Sequence, residues 1–498
     1  MLLGDNMFKY TSPESKGISS DNIEKYLRIL EGRRLSTHSM IIMRDDEIVF
    51  ENYWAPFDKN FEHRMYSVTK SILSLAVGFA IDEGYFTLQT RICDLLSDDA
   101  KLQTDVNMLG LTVRNLLMMS TAKTPKNWFV ARHPDRVRFY FENSDEVSRP
   151  GGSIFEYDSL GSFVLGAALE RCVGMSLMDY LRPRLFDKIG VSPEARCLTC
   201  PGGHSWSDSA VLCTAEDLLR IGKFVMNGGS WNGEQLLSAD YVREAISKQI
   251  DNNPLGIERF DSHGYGYLIW RTYDNSFFFN GMGCQLCVCV PDKNIVFVYN
   301  GDNQGNVIAK DIIMDNLFDL IVRPAADGTL PENPAALASL EGYARSLELY
   351  AAKGGVGRDF EKEIDGKVFK LEKNPMQIDW ISFRFTEGTC EFNYKNRQGE
   401  KTLYFRINAN EIGIFPEEGY SDAVGSQRAD GHYLRCAASG AWTEEQKLFI
   451  KVQIIDDYFG ILNMSFGFVD EKTVGVYMNK TAEDFLNEYV GFATGRAV

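Results

Sequence analysis

The stretch from Arg64 to Gly84, RMYSVTKSILSLAVGFAIDEG, constrains the fold more than any other part of the sequence. Apolar residues recur at helical spacing on one face and cover most of the remaining surface as well. Such a helix has to be enclosed by other elements, which predicts a central, buried helix. Ser67 and Lys70 are three positions apart and share a face of its first turn. Because a buried ammonium is costly unless it is paired or neutral, Lys70 has either a structural partner or a chemical use.

The elements around this helix predict a mixed α/β (α+β) domain. Residues 38–57 have the pattern of a β-hairpin, residues 86–260 are mostly helical, and residues 265–302 return to strands before a closing helix at about 306–321. We therefore expect an antiparallel sheet flanked by helices, with a helical subdomain at about 86–260. This domain would comprise residues 1–325. Its cleft would lie between the sheet and the helical subdomain, beside Ser67.

A second domain is predicted after a Pro- and Ala-rich linker at residues 326–340. Beyond the linker, the pattern predicts first a helix through residues 338–353, ASLEGYARSLELYAAK, and then short strands that alternate with turns to the end of the chain. This pattern predicts that residues 341–498 form an all-β barrel or sandwich.

Charge and composition exclude several classes of partner. A net charge of −17 argues against nucleic acid and anionic membranes as partners. No apolar stretch approaches the roughly 18 residues that span a bilayer, and the N-terminus lacks the pattern of an export signal. Ten cysteines in a chain of this kind are most simply reduced thiols, which predicts a cytoplasmic location. The sequence does not indicate an oligomeric state.

No metal or cofactor is predicted. Cys197 and Cys200, with the cysteines at 284, 287 and 289, could supply four thiolates for zinc, but the two groups are far apart and the second lies in a strand pattern typical of buried cysteine. The chain contains no dinucleotide fingerprint and no phosphate-binding loop.

Two Ser-x-x-Lys sequences offer a nucleophile beside a lysine. Ser67 lies at a helix N-terminus, where backbone N–H groups and the helix dipole favour developing negative charge. Ser120 lies at a C-terminal end beside carbonyl groups, so we expect Ser120 and Lys123 to be structural. At Ser67, Lys70 would activate the hydroxyl, directly or by lowering the pKa of a nearby tyrosine base.

Tyr157 is the candidate for that base, because it lies in a loop just before a helix. By itself this position is equally compatible with a packing role, with Asp158 or Ser159 capping the helix. Residues 203–207, GHSWS, nearly match the Gly-x-Ser-x-Gly motif but lack its last glycine.

The order and spacing of these segments resemble the serine hydrolases of the class C β-lactamase and penicillin-binding-protein family. YSVTKSILSLAVGFAIDEG resembles the Ser-x-x-Lys helix of that family, and RPGGSIFEYDSLGSFVLGAALE resembles its Pro-Gly…Tyr-Ser-Asn segment. The segment at residues 38–57 resembles the branch of 6-aminohexanoate-dimer hydrolase and related esterases. The resemblance covers about residues 12–320. It implies that Ser67, Lys70 and Tyr157 are catalytic, with Tyr157 as general base.

Two motifs depart from the family pattern. Ser159 stands where the second motif has asparagine. FNGMGCQLCV aligns with the third motif, which is Lys-Thr-Gly or His-x-Gly in the family, and places Met282, Gly283 and Cys284 there. The resemblance assigns Ser159 and these three residues to substrate binding. It also implies an oxyanion hole made by the backbone N–H groups of Ser67 and Gln285.

The sequence therefore predicts a serine hydrolase that cleaves a small-molecule ester or amide through an acyl-serine intermediate and is not an efficient β-lactamase. Met282 cannot bind a substrate carboxylate as a lysine would. The alternative is a catalytically weak ligand-binding or sensor protein on a penicillin-binding-protein-like scaffold. Trp128, Trp206 and Trp270 could form walls of the substrate pocket or belong to the core, and the sequence leaves both interpretations open.

Overall fold

The computed structural model of the chain describes residues 8–101, 103–123, 133–142, 147–200, 202–418, 433–481 and 489–498. The chain divides between Glu348 and Leu349 into two compact units. The first unit contains every candidate site residue, and the second unit is the β-rich C-terminal part.

The α-helices of the first unit occur in the sequence both before and after the strands of its sheet. Those of four or more described residues are α1 (Ser20–Gly32), α2 (Val68–Asp82), α3 (Ile92–Leu95), α4 (Ser97–Ala100), α5 (Val106–Leu109), α6 (Val113–Leu117), α7 (Arg136–Glu142), α8 (Ser159–Val173), α9 (Leu177–Leu181), α10 (Ala215–Met226), α11 (Ala239–Ile246), α12 (Ala309–Leu317) and α13 (Pro334–Ala344). Helices α3 to α11 lie within residues 86–260, the range of the predicted helical subdomain.

A seven-stranded sheet forms the centre of the first unit. Its strands are β1 (Lys9–Tyr10), β2 (Thr37–Arg44), β3 (Glu47–Tyr53), β9 (Trp270–Arg271), β10 (Phe277–Gly281), β11 (Gln285–Val290) and β12 (Ile295–Gly301), and smaller pairings involve β4 (His63–Arg64), β5 (Arg196–Cys197), β6 (Val211–Cys213), β7 (Ser230–Trp231) and β8 (Glu234–Gln235). The order in the sheet is β1-β3-β2-β12-β11-β10-β9, antiparallel except for β1 with β3. The first hairpin therefore pairs with strands that come more than 200 residues later.

Helices cover both faces of this sheet. On one face, α10 approaches β11 so closely that a Cβ on Gly222 would lie 2.3 Å from the sulfur of Cys287. On the other face, Leu286 and Val288 of the same strand share a core with side chains of α1, α12 and α13. This arrangement confirms the predicted antiparallel sheet flanked by helices.

The predicted central helix is α2, and all of its residues from Val68 to Ala80 are buried. Two other helices have residues at their ends that are typical of those positions. Gly174 ends α8 in the left-handed conformation, and Thr214 caps α10 by accepting a hydrogen bond from the Asp217 N–H.

The second unit is the predicted all-β domain. Its strands are β13 (Val368–Leu371), β14 (Trp380–Arg384), β15 (Thr389–Asn396), β16 (Gly399–Ile407), β17 (Glu411–Glu418), β18 (Tyr433–Glu444), β19 (Lys447–Ile455), β20 (Phe459–Asp470), β21 (Thr473–Thr481) and β22 (Gly491–Ala497). They form one sheet in the order β16-β15-β14-β13-β22-β21-β20-β19-β18-β17, and an additional β16–β18 pairing curls it into a barrel-like structure. A short helix, α14 (Glu361–Ile364), precedes the strands.

Helix α13 begins inside the segment that composition predicts to be a linker. Asn333 caps it by accepting a hydrogen bond from the Ala336 N–H, and Pro334 occupies its first position. Leu340 and Ala344 then pack in the core of the first unit. The Asn-Pro pair is thus a helix start here, and the domain boundaries of the sequence analysis stay predictions.

Within the described ranges, no single helix is both long and apolar enough to span a bilayer. Helix α8 and residues Leu177–Ile189 meet the length and composition requirement only when joined, and they are bent by 64°.

Candidate active site

Ser67 has the only side chain between His63 and Ala80 that is not buried. It occupies the cap position of α2, and its hydroxyl does not bond to the helix amides. The N–H groups of Val68, Thr69 and Lys70 donate to the carbonyls three residues before them, at 2.9–3.1 Å. These amides are therefore engaged. The helix dipole and the amide of Ser67 remain to favour an anion at this point.

The backbone around Ser67 is tightly held. Tyr66 adopts a φ of 45°, a left-handed conformation that costs a residue with a side chain about 1–2 kcal/mol. Strand β10 approaches so closely that a Cβ on Gly281 would lie 2.4 Å from the Met65 carbonyl oxygen. Glycine at 281 thus lets the β10–β11 hairpin pack directly against the turn that carries Ser67.

Lys70 is 1% exposed and has two hydrogen-bond partners. Its Nζ donates to Ser67 Oγ at 2.9 Å and to the carbonyl oxygen of Asp208 at 2.7 Å. Its amine also lies 5.1 Å from the ring centroid of Tyr157. The buried ammonium therefore has a structural acceptor and contacts a candidate nucleophile at the same time.

Tyr157 is positioned by backbone hydrogen bonds between its loop and the segment after α6. The N–H groups of Arg149, Gly152 and Glu156 donate to the carbonyls of residues 122, 120 and 119, at 2.8 Å in each case. Ser120 is fully buried, and its hydroxyl donates to the Asn115 carbonyl at 3.2 Å. Ser120 of the second Ser-x-x-Lys sequence thus belongs to the support of the Tyr157 loop.

Aromatic side chains line the other side of Tyr157. Trp270 stacks on it with centroids 5.7 Å apart and an interplanar angle of 24°. Phe155 and Tyr265 pack in turn against Trp270. Trp270 is therefore next to the site, in agreement with one of the two interpretations open for it. Trp206 is fully buried and belongs to the core, and Trp128 lies outside the described residues.

The second motif contains a buried carboxylate. Asp158 is 2% exposed and caps α8, its Oδ1 accepting the Gly161 N–H at 2.8 Å. Burial raises the pKa of Asp158 from its ordinary value of 3.8 to about 6, against the lowering effects of hydrogen bonds and of the Lys70 charge. Ser159 is the first residue of α8 and is partly exposed. The helix cap is thus Asp158, which leaves the Ser159 hydroxyl out of that role.

The third-motif residues form the loop between β10 and β11. Gly283 has a φ of 73° and Cys284 a φ of 74°. The thiol of Cys284 is buried in the core with Tyr26 and Tyr299, and burial raises its pKa to about 12. Its side chain is therefore enclosed in the core, and a substrate contact at Cys284 would have to come from its backbone. Met282 is partly exposed beside it.

Gln285 begins β11 opposite Gly281. Its side-chain amide donates to the Gly301 carbonyl at 2.6 Å and accepts from Asn300 Nδ2 at 3.0 Å. Asn300 in turn accepts from the Ser39 hydroxyl at 2.9 Å. This buried polar network fixes the start of β11 to the centre of the sheet.

All ten cysteines are free thiols. Cys287 and Cys289 lie on β11 against α10, where they fill the space over Gly222. In the described parts of the chain, no group of three or more potential ligands has the arrangement of a metal site.

The beta-lactamase family model matches residues 23–310, which is more than half of the chain. The chain belongs to the beta-lactamase family. The match covers Ser67, Lys70, Tyr157 and Gln285.

Individual related proteins share only a low sequence identity with this chain. A 6-aminohexanoate-dimer hydrolase from Paenarthrobacter ureafaciens is 24% identical over 251 residues, which are 47% of this chain and 64% of that enzyme. The chain thus spans less than two thirds of that relative. A Bacillus anthracis structure described as a candidate 6-aminohexanoate-dimer hydrolase is 17% identical, with a TM-score of 0.53 over 66% of this chain and 89% of that one. The octameric penicillin-binding protein homologue from Pyrococcus abyssi is 15% identical, with a TM-score of 0.48 over 95% of this chain and 99% of that one.

Sequence reasoning missed two groups at this family site. The acceptor for Lys70 is a backbone carbonyl, which has no signature in the sequence. The burial of Asp158 also gave no signal, although its place between Tyr157 and the helix was visible.

Proposed function

We propose that the protein is a serine hydrolase that cleaves an ester or amide through an acyl-Ser67 intermediate. The observation that carries the proposal is the contact of 2.9 Å between the accessible Ser67 hydroxyl and the buried Lys70 amine. The ring of Tyr157 lies 5.1 Å from the same amine and completes the group. A serine becomes nucleophilic when such neighbours accept its proton.

In the proposed reaction, Ser67 Oγ attacks the carbonyl carbon while its proton passes to Tyr157 as the general base, with the Lys70 amine beside both groups. The N–H groups of Ser67 and Gln285 would stabilise the oxyanion. Collapse of the intermediate releases the alcohol or amine with the proton from Tyr157. Water then hydrolyses the acyl ester, which returns Ser67 and releases the acid.

The proposed substrate is an uncharged ester or a linear amide. Met282 supports this proposal because it offers no cation to a substrate carboxylate at the third motif. The curated relative from Paenarthrobacter ureafaciens is named for the 6-aminohexanoate dimer. Gly283 and Ser159 would contribute the remaining substrate contacts, Gly283 through its backbone. We keep the cytoplasm as the proposed location.

A fluorophosphonate probe tests the nucleophile. Peptide mass spectrometry should find the probe on Ser67, and Ser67→Ala should abolish labelling. Lys70→Met should also abolish labelling of Ser67. The control is Lys123→Met, which replaces the buried lysine of the second Ser-x-x-Lys sequence and should leave the labelling unchanged. Absence of the probe from Ser67 in the folded wild type would contradict the proposal.

The second candidate function is ligand binding without efficient catalysis. It is favoured by the altered third motif, where Met282 and the buried Cys284 replace groups that recognise substrate. Under this alternative, a broad ester and amide panel gives no turnover and no acylation, and Lys70→Met strongly destabilises the fold. A stable, inactive Lys70→Met variant of an active wild type would exclude it.

A further inference from the structure

The segment from Gly202 to Ala210, GGHSWSDSA, has no part in the proposed chemistry, although its sequence nearly matches a nucleophile motif. In the structure this segment leads into β6, which lies against the Ser67 turn. The Met65 N–H donates to the Val211 carbonyl at 2.8 Å, and the Val211 N–H donates to Thr69 Oγ1 at 3.0 Å. The end of the segment is therefore fixed to the chain on both sides of Ser67.

Asp208 connects this segment to two buried cations. Its carbonyl oxygen accepts from Lys70 Nζ at 2.7 Å, and its carboxylate accepts from Arg136 Nη1 at 3.2 Å. Arg136 is 1% exposed and Asp208 is 2% exposed. Breaking such a pair is costly, yet apolar residues of similar size are often as stable, so stability alone does not explain it.

Aromatic rings and a second arginine hold the pair in place. The Arg136 guanidinium lies 4.0 Å from the centroid of Phe163 and 5.8 Å from that of Trp206. The centroid of Trp206 also lies 4.5 Å from the guanidinium of Arg64, whose Nε donates to the Ser209 carbonyl at 3.1 Å. Arg136 thus binds the Asp208 carboxylate, and Arg64 binds the backbone carbonyl of the next residue.

We infer that Arg136 and Asp208 are a positioning pair for Lys70. They hold the Asp208 carbonyl in a fixed position. By accepting from the flexible Lys70 amine there, this carbonyl orients the amine toward the Ser67 hydroxyl. Lysine carries its charge on a four-carbon chain with freely rotating donors, so a fixed acceptor is required to orient it. This inference rests on the proposed function, because it gives Lys70 its orientation for acylation of Ser67.

The test compares Asp208→Asn, Arg136→Met and the double variant in the full chain. The double variant leaves no lone buried charge, so it should fold even if a single variant does not. With p-nitrophenyl acetate, kcat should fall on the order of 10- to 100-fold per folded molecule, as expected for a small misplacement of a catalytic group. KM should stay within about twofold, because neither side chain is accessible to substrate. Arg136→Lys should recover part of the loss.

Arg220→Met is the matched control. Arg220 is a buried arginine of the same unit, held by Glu216 and the Ile189 carbonyl, and it has no bond to the Ser67 segment. Its replacement should lower stability and leave kcat per folded molecule unchanged. An equal loss of kcat in the double variant and in this control would overturn the inference.

A crystal structure of the double variant gives a readout that does not depend on activity. The inference requires the contact of Lys70 Nζ with Asp208 or with Ser67 to open beyond hydrogen-bond distance. Retention of both contacts overturns it, whatever the kinetics. If the contacts open in the double variant but no probe acylates Ser67 of the wild type, the positioning role is supported and the proposed hydrolase is contradicted.

Discussion

Replacing Asp158 by asparagine removes a charge from the interior and leaves a helix cap in place. The asparagine side-chain oxygen can still accept the Gly161 N–H that Asp158 accepts now. What changes is the ability to ionise. The pKa of Asp158 is raised by burial from 3.8 in the unfolded chain to about 6 in the folded protein.

The sign of the effect follows from proton binding. Between pH 3.8 and about 6, the folded chain keeps a proton that the unfolded chain has lost, so the free energy of unfolding falls as the pH rises. The full difference corresponds to about 3 kcal/mol above pH 6. Asp158→Asn should therefore be more stable than the wild type by about 1–2 kcal/mol at pH 5 and by about 3 kcal/mol at pH 7.5.

Urea denaturation followed by circular dichroism measures this difference across pH 5 to 7.5. Asp158→Ala is the control for the cap, and it should be less stable than Asp158→Asn by about 1 kcal/mol at each pH. A difference between Asp158→Asn and the wild type that does not grow with pH would refute the reasoning. So would a wild type that is more stable than the variant at pH 7.5.

Three further predictions concern the site. Lys70→Met should lower the rate of hydrolysis at least about 100-fold without lowering the free energy of unfolding, since a buried charge is replaced by an apolar side chain. Urea denaturation and steady-state kinetics check this, and strong destabilisation would contradict it. The kcat/KM for p-nitrophenyl acetate should exceed that for nitrocefin, because Met282 offers no cation to a carboxylate; faster nitrocefin hydrolysis would reverse the substrate assignment. Trp270→Ala should lower kcat/KM about fivefold by removing the stack on Tyr157, and unchanged kinetics would remove Trp270 from the site.

The parts of the fold that sequence predicts are those with a local pattern. The burial of α2 follows from its apolar surface on all sides, and the start of α10 follows from the Thr214 cap with acidic residues after it. The antiparallel sheet was predictable as a class because the strands occur in two groups.

Other features depend on contacts between distant segments. The start of α13 at Pro334 was hidden by a composition typical of linkers, since its stability comes from packing on the first unit. The burial of Cys284 depends on which way the hairpin turns, and its φ of 74° is unusual for a residue with a side chain. At the site, the Ser67–Lys70 contact follows from helical spacing. The carbonyl oxygen of Asp208, which accepts from Lys70, comes from a segment 138 residues away.

The measurement that tests the account most directly is the identity of the residue that carries the acyl group during turnover. The folded wild type is mixed with p-nitrophenyl acetate, stopped in acid during steady-state hydrolysis, and digested for mass spectrometry. The account predicts an acetyl group on the peptide that contains Ser67, at the Ser67 hydroxyl, and none there in Ser67→Ala. Turnover with acetyl on another residue, or with no acetylated peptide under conditions in which deacylation is slow, would contradict it.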